Sequence, residues 1–74
     1  MTKNQEDIIN KIEESNFMSE KGNRTILLQG LYALVPNLPA ETVKEEVLAL
    51  EGVKIAGPDG TNLTIEIPAQ YFSN

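Results

Sequence analysis

The sequence of 74 residues contains no cysteine, no histidine and no tryptophan, and only two tyrosines and two phenylalanines. Without cysteine, the chain has no disulfide, no thiolate nucleophile and no sulfur ligand for a structural zinc ion. Without histidine, it lacks the usual acid or base of neutral-pH catalysis and the group that would activate a serine. We therefore expect a protein that is not an enzyme, with no catalytic residue, no cofactor and no metal site.

A long hydrophobic run is also missing. The longest mostly apolar stretch, residues 26–35, is interrupted by Gln29 and Gly30 and is far shorter than the roughly 20 residues that span a bilayer. Residues 1–7 are mostly polar, unlike the apolar core of a signal peptide. The lack of cysteine fits a reducing compartment. We expect a cytoplasmic protein that makes no membrane contact.

Length and charge limit the fold and the partners. A chain of 74 residues is predicted to form one domain, residues 1–74, which is stable by only a few kcal/mol. The formal net charge is −5, and residues 38–74 carry six acidic side chains against two basic ones. Such a surface repels nucleic-acid phosphates and favours basic partners, although many soluble proteins are this acidic without any such partner.

Three segments show helical periodicity. The first predicted helix covers about residues 5–15, because Thr2 and Gln5 match a capping box and three isoleucines follow at helical spacing. The second covers about residues 25–35 and is apolar nearly all the way round, which is typical of a segment buried on most sides. The third covers about residues 39–51, with a proline at its first turn and apolar residues along one face.

The period changes to two after the third helix, which predicts a β-hairpin over about residues 53–67. Its turn is Gly57-Pro58-Asp59-Gly60, where proline presets one dihedral angle and the glycines can take positive φ. Residues 68–74 form a short tail, in which Tyr71 and Phe72 either dock on the core or stay exposed. The predicted fold is therefore α+β, with three helices followed by a C-terminal hairpin.

This order of elements resembles that of a winged helix-turn-helix. Residues 39–51 take the place of the recognition helix and residues 57–60 that of the wing tip. The resemblance rests on element order alone, and another packing of three helices and a hairpin fits the order equally well. The candidate recognition helix carries four glutamates and one lysine, a balance that opposes contact with DNA phosphates.

Two parts of the chain are candidate protein interfaces. Three helices and a hairpin can cover the apolar second helix from only two or three directions, and an uncovered apolar patch usually marks an interface. The alternative is that the hairpin and the tail cover it completely. The third helix adds exposed acidic side chains. The candidate interface residues are Ile26, Leu27, Leu31, Tyr32, Glu41, Glu45 and Glu46.

These observations favour a small acidic protein that acts as a protein–protein interaction or regulatory module. Its partner is expected to be another protein or a second copy of itself in a homodimer, and nucleic acid is not expected. One alternative is a winged-helix-type, DNA-associated transcriptional regulator. Another is an acidic inhibitor that occupies the binding site of a nucleic-acid-binding protein.

Overall fold

A computed structural model describes residues 1–15, 22–57 and 63–72, which form three helices and a three-stranded antiparallel sheet. The α+β class expected from the sequence is confirmed. In chain order the elements are α1 (Lys3–Ser15), β1 (Arg24–Leu27), α2 (Leu28–Leu34), α3 (Ala40–Leu48), β2 (Lys54–Ile55), β3 (Thr64–Ile67) and a short 3-10 turn (Ala69–Tyr71). Within the described residues, no helix is long and apolar enough to cross a bilayer.

The first helix begins at the predicted capping box. The backbone N–H of Thr2 donates to Gln5 Oε1 at 2.8 Å, and the backbone N–H of Gln5 donates to Thr2 Oγ1 at 3.1 Å. These two bonds satisfy donors that a helix start otherwise leaves free. The three isoleucines of α1 are buried in the core, as their spacing predicts.

The prediction of one helix over residues 25–35 is wrong at its start. Arg24–Leu27 is a strand, and α2 begins at the next residue, Leu28. The strand is stabilised by antiparallel pairing with β3, and the N–H of Leu28 donates to the carbonyl of Leu63 at 2.9 Å. Residues 25–35 have apolar side chains on all sides of a single predicted helix because they are in fact the end of a strand followed directly by a helix, without a loop between them.

The sheet order is β1-β3-β2, so β3 lies at the centre and pairs with both neighbours. The predicted arms of the hairpin, β2 and β3, do pair antiparallel. The predicted order of three helices followed by a two-stranded hairpin is nevertheless incorrect, because β1 lies between the first two helices and adds a third strand. Residues 58–60 of the predicted turn lie outside the described residues.

The core lies between the helices and one face of the sheet. Its fully buried side chains come from every helix and from the central strand. The tail also contributes, because Phe72 is only 9% exposed and the Tyr71 hydroxyl donates to the carbonyl of Glu51 at 2.6 Å. The third helix ends at Leu48, short of the predicted end at residue 51, and the chain then turns at Gly52, whose φ is 88°. The tail is thus packed against the core, close to the end of α3.

Candidate functional site

The apolar residues of the candidate interface do not share one surface. Leu31 is fully buried in the core and is therefore unable to contact a partner. Ile26 is half-buried and lies opposite the buried Ile65, whereas Leu27 is 49% exposed. Because successive strand residues alternate between faces, Leu27 lies on the opposite face of the sheet from Ile26. The apolar patch expected from a single helix is thus divided between two faces of β1.

The acidic residues of the candidate interface also divide into two groups. Glu41 and Glu45 are exposed and lie one turn apart on α3. Glu46 is half-buried and accepts hydrogen bonds from Thr2 Oγ1 at 3.0 Å and from Asn4 Nδ2 at 3.3 Å. The carboxylate of Glu46 therefore holds α3 against the start of α1, while the other two carboxylates face solvent.

Tyr32 lies within electrostatic reach of Glu41. Burial raises the pKa of the Tyr32 phenol above its usual value, and the negative charge of Glu41 raises it further. The phenol therefore stays protonated near neutral pH and can donate a hydrogen bond. We call Tyr32, Glu41 and Glu45 the acidic helix surface. In this set the charge of Glu41 acts on the Tyr32 phenol of α2, and Glu45 lies one turn further along α3.

The carboxylates of the described residues are spread over the surface. They include no group of three acidic side chains that could hold a metal ion. On α1, Glu14 approaches Lys11 at 4.0 Å as an exposed ion pair of the kind common on helix surfaces. Single, solvated carboxylates of this kind can accept hydrogen bonds and attract cations.

Sequence reasoning missed Arg24 as a residue of interest. Its side chain is only 6% exposed, and its guanidinium carbon lies 4.3 Å from the centroid of the Phe72 ring. Its Nε is buried and has no hydrogen-bond partner within the described residues. The signal that could have found it is the alternation of Arg24 with Ile26 in a strand, which puts both on the face of the buried Ile65 and Ile67.

The neighbouring residue, Asn23, fixes the tail next to Arg24. Asn23 Oδ1 accepts a hydrogen bond from the backbone N–H of Ala69 at 3.0 Å, and its Nδ2 donates to Glu66 Oε2 at 3.3 Å. These bonds join the start of β1 to the central strand and to the turn that leads to Phe72. We call Arg24 and Phe72, held together in this way, the arginine site.

Comparisons with family models, curated proteins and solved structures give no significant match to this chain. The two candidate sites are therefore defined by the geometry of the chain's own residues. The acidic helix surface is exposed and negatively charged. The arginine site is buried and positively charged.

Proposed function

We propose that this protein is a small interaction module that binds a basic partner protein through the acidic helix surface. The observation that carries the proposal is the position of Glu41 and Glu45, exposed and one turn apart on a helix that is anchored in the core. Among the described residues, neither carboxylate has a salt-bridge partner. Both are therefore available to a cation on another molecule.

The chemistry of the surface favours a protein carrying arginine or lysine. Carboxylates accept two parallel hydrogen bonds from an arginine, which gives geometric specificity as well as energy. Tyr32 adds a half-buried aromatic ring within electrostatic reach of Glu41, and tyrosine is enriched at protein interfaces. The net charge of −5 would speed the approach of a basic partner at low salt. Glu46 and Leu31 have structural roles, so we leave them out of the proposed surface.

The experiment is a pull-down with the immobilised protein and three matched baits. We expect the wild type to recover a basic protein, and the variant Glu41→Lys/Glu45→Lys to lose it. The control variant, Glu6→Lys/Glu14→Lys, makes the same change of charge on exposed positions of α1 and should retain the partner. Because exposed charges are screened by salt, recovery should fall as the salt concentration rises. Equal recovery by all three baits would contradict the proposal.

A second copy of the chain is the other partner that we consider. Leu27 and Ile55 are large, exposed apolar side chains on the two outer strands of the sheet. Burying such residues between two copies would also stabilise a domain with a small core. Light scattering after size exclusion tests this directly. A monomer at the highest soluble concentration would exclude the homodimer and leave the basic partner as the proposal.

A winged-helix-type, DNA-associated regulator is the alternative function. It is supported by the short connection between α2 and α3, residues 35–39, and by the two strands that follow α3. It is opposed by the charge on and just after α3, where the exposed Glu41, Glu45 and Glu51 outnumber Lys44. Anisotropy with random duplex DNA at low salt separates the two proposals, because non-specific binding is governed by electrostatics. Salt-sensitive binding that Lys44→Glu abolishes would favour the regulator.

An acidic inhibitor of a nucleic-acid-binding protein is a special case of the leading proposal. The acidic helix surface would then occupy the site where the partner holds phosphates. Duplex DNA should in that case compete with this protein for the recovered partner. A partner whose recovery DNA leaves unchanged would exclude the inhibitor while preserving the interaction module.

A further inference from the structure

We draw no further inference here: the strongest candidate, the outer edge of the sheet at β2, where the apolar side chain of Ile55 is 58% exposed, carries nothing because nothing in the described residues shows what covers it.

Discussion

Gln5 and Arg24 are both buried, yet only Gln5 has its hydrogen-bonding atoms satisfied. Gln5 Oε1 accepts from the N–H of Thr2, and Gln5 Nε2 donates to the carbonyl of Glu46 at 3.0 Å. Arg24 is held by an aromatic ring, and its Nε has no partner among the described residues. The hydrogen bonds of Gln5 join the start of α1 to the backbone of α3. The arrangement around Arg24 leaves one buried donor of its side chain unsatisfied within the described residues.

The difference follows from the chemistry of the two side chains. A neutral amide has few polar atoms, and the start of α1 and the nearby α3 backbone satisfy it locally. A guanidinium has five donors and a charge, which require a carboxylate or another anion when water is excluded. Stable folds satisfy their buried polar groups, and departures from that rule are expected at functional sites. The following variants test whether the two regions really differ in this way.

The largest loss of stability is expected from Phe72→Ala. Removing a buried aromatic side chain costs about 3 kcal/mol, because apolar contact is lost and a cavity remains. This loss approaches the whole stability expected of such a small domain, so urea unfolding should be followed in a stabilising osmolyte. The control is Tyr71→Phe, which removes only the hydroxyl bond to Glu51 and should cost about 1 kcal/mol. Similar losses in the two variants would show that Phe72 does not anchor the tail.

An intermediate loss of stability is expected from Gln5→Leu. The substitution keeps an apolar stem but leaves the Glu46 carbonyl without its donor and the Thr2 N–H without its acceptor, at a cost of about 2 kcal/mol. Urea unfolding monitored by circular dichroism measures the loss. Asn10→Leu removes an exposed amide from the same helix and should change stability by less than about 0.5 kcal/mol. Equal effects of the two variants would contradict a structural role for Gln5.

The sequence was sufficient to predict the region around Gln5 but not the region around Arg24. The capping box is a local pattern, in which Thr2 and Gln5 lie three residues apart and bond directly to each other. The strand β1 depends instead on pairing with β3, which lies about forty residues further along, as in the pair Leu27 and Thr64. A four-residue strand that runs directly into a helix carries no turn signal between them. The sequence pattern therefore suggested that Arg24, the first residue of β1, is a cation exposed on the surface.

Which of the candidate interface residues are exposed could be predicted only in part, for the same reason. Glu41 and Glu45 are exposed, as the amphipathic pattern of the third helix suggests. Burial of Leu31 and the bonds of Glu46 to the start of α1 depend on how the helices pack, and a single sequence does not encode that packing in any local signal. Long-range contacts thus decided which acidic residues remained free and which became structural.

The smallest change in stability, and the one that separates the two regions most clearly, is expected from Arg24→Met. Methionine has a similar apolar stem and avoids the cost of burying a charge that has no ion-pair partner. We expect the free energy of unfolding to rise by about 1 kcal/mol or to stay unchanged, with the same dependence on urea concentration. Gln5→Leu should destabilise because it breaks two hydrogen bonds, whereas Arg24→Met removes an Nε that has no hydrogen-bond partner within the described residues. A loss of more than about 2 kcal/mol, the size expected for breaking a satisfied buried network, would show that Arg24 is as structural as Gln5.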